Sequence, residues 1–374
     1  MSYNPAEQQL FDKLFALNGK LTRREFAAIK RHYGWTFAFQ KVHIVGTNGK
    51  GTMAHSLHNE LMLHHQRVGM FTSPHLLDPR ERIVINGRNI DLEQIIKYTT
   101  DLQVQFPQIQ FGFFDLLFLS ALRWFETAQV DIAIFEAGIG AKRDIVNFVK
   151  HEITIITTIS LDHQALLGST VQQIARDKAH AIKAGGIVYL PSGLAKELIA
   201  LFQRRALKVG AQLHILQLAR CTHFALANEL YAAAILRQGF GIYELKGRFC
   251  LPPGRLHHVQ INGHYCLIDG AHNVEGVAAV LRFLKVTKTP IAQVVVSLSK
   301  DKEQELILQT LQAAYPRLLI YENRGRKPLL QRDYSPQYYC KAIRNLDLWL
   351  EQLDRPTLFI GSFYLAAEIL RRLK

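Results

Sequence analysis

Val42-His43-Ile44-Val45-Gly46-Thr47-Asn48-Gly49-Lys50-Gly51-Thr52 joins a hydrophobic run to a glycine-rich turn that carries a lysine and ends on a threonine. This stretch is typical of a phosphate-binding loop between a strand and a helix. Its three glycines let backbone N–H groups converge on an anion, Lys50 supplies a positive charge, and Thr52 offers a hydroxyl to Mg²⁺. The stretch therefore predicts a nucleoside triphosphate site. Its residues are Gly46, Thr47, Asn48, Gly49, Lys50, Gly51 and Thr52.

The spacing of this loop departs by one residue from the usual pattern. The usual loop has a glycine five residues before the Gly-Lys pair and a Ser or Thr directly after the lysine. Here Ile44 and Gly51 occupy those places. A plain turn between a strand and a helix also favours Gly, Asn and Thr, so the stretch alone leaves a purely structural turn open as the alternative.

The length and composition of the chain indicate a globular protein of about two domains. Of its 374 residues, 48% are hydrophobic and 20% are charged, as in ordinary soluble proteins. Near the N-terminus no basic segment precedes an apolar core, and no uncharged apolar run approaches about 18 residues. We therefore expect a cytoplasmic protein without a membrane partner. The cysteines are widely spaced and are expected to be packing residues rather than zinc ligands or disulfides: Cys221, Cys250, Cys266 and Cys340.

The chain is strongly basic. It has 45 Lys and Arg against 31 Asp and Glu, which gives a formal net charge of +14. Because the basic residues are dispersed rather than gathered in a stripe, the balance favours small polyanionic substrates over nucleic acid. We expect a monomer with no nucleic-acid partner.

Short apolar runs alternate with longer amphipathic stretches, which predicts an α/β fold with parallel sheets. Strands are expected at 41–46, 68–72, 131–136, 153–160, 186–191, 265–269, 293–298, 317–321 and 357–361. Helices are expected at 53–65, 113–127, 170–183, 224–238, 274–286, 304–314 and 363–373. Leu251-Pro252-Pro253-Gly254-Arg255 marks a boundary between a larger unit and a smaller one. Two such units that meet at a hinge would form a cleft.

Two further strand ends carry oxygen atoms suited to Mg²⁺. Ser73 follows the run at 68–72 and offers a second hydroxyl, although a Ser-Pro turn leading into a hairpin is the alternative. Glu136 ends the run at 131–136, where an acidic magnesium ligand belongs in a phosphate-loop fold. A carboxylate there also caps a following loop, so both interpretations of Glu136 stay open.

A histidine and a lysine come next along the chain. His163 follows the run at 153–160 and is a candidate ligand for a second divalent ion, while a loop histidine is more often a surface or hydrogen-bonded residue. Lys178 lies on a predicted helix whose lysine could return to the same edge of the sheet, although a solvated helix lysine is the simpler interpretation.

Polar residues also follow the strand at 265–269. Asp269 and His272 are candidates for contact with a ribose or base, and Asn273 directly follows His272. An ordinary turn with Asn273 as the helix N-cap is equally consistent with the sequence.

Taken in order, the motifs resemble the folylpolyglutamate synthase and dihydrofolate synthase family, within the Mur ligase superfamily of ATP-dependent amide-forming enzymes. The resemblance runs from about residue 43 to residue 364. The matching segments are 43–52, 72–76, 81–83, 86–87, 113–115, 136–140, 161–163, 177–179, 253–255, 269–273, 300–302 and 361–364. So many segments in one order make coincidence very unlikely.

The resemblance implies a fold of two domains. The first is a phosphate-loop-type ATPase domain over residues 1–252 with a mainly parallel sheet. A linker at 253–258 leads to a smaller, Rossmann-like α/β domain at 259–374.

The resemblance also implies roles for the matching residues. Lys50 would grip the phosphates of ATP, Thr52 and Ser73 would join Glu136 around one Mg²⁺, and His163 with Glu136 would hold a second. Lys178 matches a lysine that these enzymes can carry as an N6-carboxylated side chain, which turns a cation into a metal ligand. The remaining implied contacts to the nucleotide come from Arg255, Asp269, His272 and Asn273, and the implied catalytic residues are Lys50, His163, Lys178 and Arg255.

The implied reaction joins L-glutamate to dihydropteroate or to folates, with ATP and two Mg²⁺ ions. A Mur-like ligase acting on another carboxylate acceptor is the first alternative. The second alternative is a nucleotide-binding protein without catalysis, against which Lys50, Glu136, His163 and Lys178 argue.

The chain departs from the family pattern after the metal-binding acid. Where the family has Gly-Gly-Arg-x-Asp-Ala-Thr-Asn, this chain has Gly140-Ala141-Lys142-Arg143-Asp144-Ile145-Val146-Asn147. Lysine does not replace the planar fork of an arginine. Because the departures concern the acceptor side more than the nucleotide side, ATP-dependent ligation is better supported than the identity of the acceptor.

Lys50→Ala tests the phosphate loop directly. The substitution removes the positive charge expected at the phosphates and should abolish ATP use. ATP turnover of the purified variant is the measurement, and full turnover in Lys50→Ala would refute the assignment of this lysine.

Overall fold

A computed structural model describes residues 11–64, 66–217, 221, 223–247, 249, 251–300, 302–322, 329–338 and 341–373. The chain forms two α/β units, each built on one sheet, so the expected fold class is confirmed. None of the helices in the described residues is long and apolar enough to cross a membrane.

The first unit holds an eight-stranded sheet in the order β4-β3-β2-β5-β1-β6-β7-β8. Its strands are β1 (Gln40–Val45), β2 (Val68–Phe71), β3 (Ile83–Ile85), β4 (Arg88–Asn89), β5 (Ile132–Glu136), β6 (Ile153–Ile156), β7 (Ile187–Pro191) and β8 (Gln212–Leu216). Among the described strands of this sheet, β3 pairs antiparallel with both β2 and β4, and the other pairs are parallel. Strands β3 and β4 form a hairpin. Their hairpin turns at Asn86 and Gly87, both with positive φ, as an Asn-Gly sequence favours.

Helices cover both faces of this sheet. Their bounds are α1 (Arg23–His32), α2 (Lys50–Leu63), α3 (Leu92–Gln105), α4 (Phe113–Thr127), α5 (Gln164–Leu167), α6 (Val171–Lys178), α7 (Lys196–Val209) and α8 (Phe224–Phe240). The most deeply buried of them is α4, whose Phe118 and Phe125 pack against strand residue Phe135. Residues 115–122 are all buried, as expected for a helix in the core.

The second unit holds a six-stranded sheet in the order β13-β12-β11-β14-β10-β9. Its elements are β9 (His257–Ile261), β10 (His264–Asp269), α9 (Val274–Thr287), β11 (Gln293–Val296), α10 (Gln304–Gln312), β12 (Leu318–Tyr321), β13 (Lys341–Ile343), α11 (Leu346–Glu351), β14 (Thr357–Ile360) and α12 (Phe363–Arg372). Only β9 is antiparallel to its neighbour. Since β9 begins at His257, the last two residues of the predicted linker lie in a strand of this sheet.

Several helices and strands of the structure were not expected from the sequence. Helices α1, α3 and α7 were not predicted, although Thr22 and Glu25 form a capping box that marks the start of α1. The helix expected at 170–183 ends at Lys178 as an α-helix and continues only as a 3₁₀ turn at Ala179–Ala181. Of the cysteines expected to pack, Cys266 is buried and Cys221 is half-buried. Cys250 and Cys340 lie outside the described residues.

Sheet order places the candidate residues at one edge. The neighbours β2, β5, β1 and β6 are parallel, so their carboxyl ends lie side by side. Ligands of open α/β sheets bind at that edge. Each of these strands leads directly into one of the predicted segments: Ser73 after β2, Glu136 on β5, the phosphate loop after β1, and His163 after β6.

Gly361, which connects β14 to α12, should be intolerant of any side chain. Its φ is 108°, and a Cβ there would lie 2.5 Å from the carbonyl oxygen of Ser297. Gly263 is a matched control because its φ is 78° and a Cβ there would meet no heavy atom within 4 Å.

We expect Gly263→Ala to lower the free energy of unfolding by about 1 kcal/mol through backbone strain alone. Gly361→Ala should lower it by about 2 kcal/mol more, because the new methyl group meets backbone. Urea denaturation of both variants measures the difference. Equal losses in the two variants would contradict this account.

Candidate active site

The phosphate loop is held from outside by the segment that follows β6. Thr47 donates its backbone N–H to Thr158 O at 2.7 Å, and Asn48 donates its own to Thr158 Oγ1 at 3.0 Å. Thr157 Oγ1 donates back to Asn48 O at 2.7 Å. Gly49 takes φ 85° as the N-cap of α2, a backbone conformation that favours glycine. The loop is therefore fixed before any ligand binds, with the N-terminus of α2 at its end.

A cavity of about 1400 Å³ lies between the two units at this edge. Most of the residues predicted from the sequence line it. They are Gly46, Thr47, Asn48, Gly49, Lys50, Gly51, Thr52, Ser73, Glu136, His163, Lys178, Arg255 and His272. Residues of the second unit thus face the phosphate loop across one cleft.

Glu136 presents a nearly buried carboxylate to the start of α2. Its side chain accepts the backbone N–H of Ser73 at 2.9 Å, and the residue is 4% exposed. A Cβ on Gly51 would lie 3.4 Å from its Oε2, at ordinary contact distance, so the first turn of α2 lies against the carboxylate. Burial raises the pKa of Glu136, while the positive charge of Lys50 acts in the opposite direction.

This set of donors fits a hard divalent cation. A buried carboxylate beside the hydroxyl-bearing residues Thr52 and Ser73 offers the oxygen ligands that Mg²⁺ prefers. Among the described residues no group of three or more His, Cys, Asp or Glu forms a metal site. The arrangement therefore resembles a nucleotide-associated magnesium site, where phosphate oxygens complete the coordination, more than a zinc site.

Two lysines differ in their surroundings. Lys50 Nζ donates to Thr47 O at 3.2 Å at the open face of the loop. Lys178 is 5% exposed, and its Nζ donates to Gly46 O at 2.8 Å beneath the loop. Burial, with the positive charge of Lys50 adding to it, lowers the pKa of Lys178 to about 7. Lys178 is therefore not the solvated helix lysine that the sequence left open.

Asp162 and His163 lie at the boundary between the units. Asp162 accepts hydrogen bonds from Lys302 Nζ at 2.8 Å and from Asn273 Nδ2 at 3.1 Å. His163 lines the cavity with φ 51°, and its Nε2 lies 4.0 Å from Asp162 Oδ2. Burial lowers the pKa of His163, which favours the neutral imidazole that can act as a metal ligand.

Arg255 and the buried Asp269 form an ion pair in which only the arginine reaches the cavity. Asp269 is 1% exposed and accepts the backbone N–H groups of Leu256 and Ala271 at 2.9 and 2.7 Å. Its Oδ1 lies 3.5 Å from Arg255 Nη1, and the guanidinium carbon lies 4.5 Å from the ring centroid of Phe363. Asp269 does not line the cavity. Its carboxylate orients Arg255 instead.

His272 and Asn273 have separate places. His272 lines the cavity, its Nδ1 lies 2.8 Å from Gly270 O, and burial lowers its pKa to about 4. Asn273 does not line the cavity; its Oδ1 caps α9 by accepting the N–H of Gly276 at 2.8 Å. Asn273 is therefore the N-cap of α9, as one of the two interpretations of the sequence expected.

In the segment 140–147, which departs from the family pattern, Asp144 still holds the backbone. Asp144 accepts backbone N–H groups from Gly138, Ile139 and Val146. Lys142 is exposed and does not line the cavity, whereas Arg143 does. An arginine thus borders the cavity one residue later than the family pattern places it.

Some cavity residues were not singled out from the sequence as functional. His75 accepts a hydrogen bond from Arg82 Nε at 2.9 Å, and burial, with Arg82 adding to it, lowers the pKa of His75 to about 3. Lys302 reaches the cavity from the second unit. All three belong to segments that carried the resemblance, but only tertiary contacts show that they face the cleft.

Comparisons with known proteins find relatives in sequence and in fold. No protein-family model matches the chain. Folylpolyglutamate synthase of Lacticaseibacillus casei is 25% identical over 388 residues, 88% of each chain. Dihydrofolate synthase/folylpolyglutamate synthase of Bacillus subtilis is 28% identical over 394 residues, 89% of this chain and 90% of that one. The Escherichia coli protein of the same name is 33% identical over only 173 residues, 44% of this chain and 41% of that one.

Solved structures share the whole fold. A bifunctional folylpolyglutamate synthase/dihydrofolate synthase with Mn, AMPPNP and L-glutamate bound superposes with a TM-score of 0.85 at 22% identity, covering 98% of both chains. E. coli FolC in complex with DHPP and ADP gives 0.85 at 22% identity, covering 98% of this chain and 97% of that one. At this identity the likeness establishes the two-domain fold.

Asp144 should make stability depend on pH in the acid range. Burial raises the pKa of Asp144 to about 6 in the folded chain, above the ordinary 3.8. Between these values the folded state binds more protons than the unfolded state, so stability falls as pH rises through that window.

We expect the difference in unfolding free energy between wild type and Asp144→Asn to shrink by about 2 kcal/mol from pH 4 to pH 6. Urea denaturation at each pH gives this difference. A difference that stays constant or grows with pH would contradict the raised pKa.

Proposed function

We propose that this chain, which has the fold of folylpolyglutamate and dihydrofolate synthases and resembles them in sequence, is an ATP- and Mg²⁺-dependent ligase. It joins the amine of L-glutamate to a carboxylate of dihydropteroate or of a folate. The observation that carries the proposal is the convergence of the phosphate loop, the buried Glu136 and Arg255 of the second unit on one cavity.

A carboxylate is a poor acylating agent, so the proposed reaction has two steps. First, an acceptor carboxylate oxygen attacks the γ-phosphorus of ATP, the bond to the β-phosphate oxygen breaks, and ADP leaves. Second, the glutamate amine attacks the acyl carbon of the acyl phosphate, loses a proton, and expels phosphate. Both steps need the reactants held in contact and water kept out, which a cleft between two units provides.

The first step brings a carboxylate to a triphosphate, so negative charge must be neutralised. Lys50 at the loop and Arg255 across the cleft both line the cavity, and their positive charges would neutralise the γ-phosphate. Asp269 and Phe363 hold the guanidinium of Arg255 in place. Bound Mg²⁺ would supply further charge neutralisation to the phosphate oxygens.

The proposed metal ligands are those that the family resemblance implies, and all of them line the cavity. Thr52, Ser73 and Glu136 would hold one Mg²⁺, and His163 with Glu136 would hold a second. The proposal that Lys178 is N6-carboxylated is supported by the burial of its amine under the loop and by its lowered pKa. A neutral amine reacts with carbon dioxide, whereas an ammonium ion does not, and the product carboxylate would add an anionic ligand.

The acceptor site is supported by the shape and charge of the remaining cavity. Phe15 stacks on Phe113 at 4.1 Å, and Phe15 lines the cavity together with Arg82 and Arg143. An aromatic wall with cations beside it suits a flat heterocycle that carries carboxylates. The net charge of +14 suits such anionic acceptors and their products.

Phosphate release from ATP tests the proposal. Purified protein is supplied with ATP, Mg²⁺ and L-glutamate, and then with dihydropteroate, tetrahydrofolate or an unrelated carboxylate. Release that depends on dihydropteroate identifies a dihydrofolate synthase, and release that depends on tetrahydrofolate identifies chain extension. Release only with an unrelated carboxylate would indicate another Mur-like ligase. If phosphate release depends on none of the acceptors, the proposal that the protein is a ligase is refuted.

Lys178→Ala tests the carboxylated lysine. The variant should lose most of its phosphate release, and added formate or acetate should restore part of it by supplying the missing carboxylate. Lys183→Ala is a matched control, since Lys183 is another lysine of lowered pKa but donates to Asn147 O away from the loop. An active Lys178→Ala variant would eliminate the role of this side chain.

A further inference from the structure

Asp162 is the point on which several polar contacts between the two units converge. Its Oδ1 accepts from Lys302 Nζ at 2.8 Å, and the two side chains are 8% and 10% exposed. Its Oδ2 accepts from Asn273 Nδ2 at 3.1 Å. Both partners belong to the second unit, so one carboxylate of the first unit binds two side chains across the cleft.

The contact through Asn273 continues into the phosphate loop. Asn273 Nδ2 also donates to Asn48 Oδ1 at 3.0 Å, and Asn48 Nδ2 donates to Asn273 Oδ1 at 3.3 Å. The backbone of Asn48 is already held by Thr157 and Thr158. Asn273 is in turn fixed to its own unit as the cap of α9. A displacement of the second unit would therefore break or shift the hydrogen bonds of the Asn48 side chain.

The same carboxylate faces histidines from both units. His272 Nε2 lies 3.8 Å and His163 Nε2 lies 4.0 Å from Asp162 Oδ2. Both histidines and Lys302 line the cavity. The distances from Asp162 to His272 and Lys302 therefore depend on how the two units meet.

The ion pair between Asp162 and Lys302 is largely buried, and a buried ion pair is sensitive to its geometry. Taking both charges out of water is costly, and their attraction offsets that cost only when the geometry is good. The apolar contact elsewhere in the cleft, where Leu76 of the first unit packs with the core of the second, tolerates sliding far better. The pair between Asp162 and Lys302 therefore defines one relative position of the units.

We propose that Asp162 is a positioning residue that holds the second unit over the phosphate loop and so sets Asn48, His272 and Lys302 for the nucleotide. This inference rests on the nucleotide site of the proposed function. Asp162 acts through its neighbours and needs no contact with the reacting atoms.

Asp162→Asn tests the proposal, because it keeps the shape of the side chain and removes its charge. Glu303→Gln is the matched control: Glu303 Oε1 accepts from Gln164 Nε2 at 2.8 Å, which also joins the two units. We expect Asp162→Asn to raise the Kd of a non-hydrolysable ATP analogue about ten-fold. The control should change it less than about two-fold.

Two further readouts separate positioning from loss of stability. In small-angle X-ray scattering without nucleotide, the radius of gyration should increase for Asp162→Asn and stay unchanged for Glu303→Gln. In turnover assays, the KM for ATP should rise more than kcat falls, since saturating ATP draws the units together. A folded Asp162→Asn variant with wild-type Kd and radius of gyration would overturn the proposal.

Lys302→Met provides a second route if Asp162→Asn fails to fold. It breaks the same pair from the other side and should also raise the Kd and the radius of gyration; wild-type values of both would overturn the proposal. If both single variants fold, their effects should combine to less than the sum, because they share one interaction. Should the wild type itself bind no ATP analogue, the proposed function fails, while scattering of the free protein still tests how Asp162 holds the units.

Discussion

The hydrogen bonds that tie the phosphate loop to the end of β6 are the constraint on which the rest of the site depends. A loop of glycines has many accessible conformations, and ordering it alone would cost conformational entropy. Thr157 and Thr158 hold Asn48 and Thr47 from the neighbouring strand end, so the loop keeps one shape. Parallel pairing of β1 with β6 brings these residues together, and parallel pairing of β1 with β5 adds Glu136.

Charges at this edge are buried and incompletely compensated. Burial disfavours the ionised forms of Glu136 and Asp269 and lowers the pKa of Lys178. Such a site gains from a ligand that brings charge of both signs, as ATP with Mg²⁺ does. The perturbed groups thus describe a site suited to a metal nucleotide, and the second unit closes it with Arg255, itself oriented by Asp269.

The departures in the segment after Glu136 leave its framework intact. Asp144 still accepts three backbone N–H groups, and Asp177 accepts those of Ala141 and Lys142. These bonds depend on carboxylates that the chain retains. Of the replaced side chains, Lys142 is exposed, whereas Ala141, Ile145 and Val146 are buried in the hydrophobic core. Arg143 borders the cavity, so this segment also contributes a positive charge to the cleft.

The sequence by itself determined the α/β alternation, the phosphate loop and the strand-end residues Ser73, Glu136 and His163, because periodicity and turn chemistry are local. It did not reveal that Asp269 orients Arg255, that Asn273 bonds to Asn48, or that Lys302 pairs with Asp162. The last two contacts join residues 225 and 140 positions apart. Only sheet order and the meeting of two units bring such residues together, and only the burial of Lys178 beneath the loop lowers its pKa.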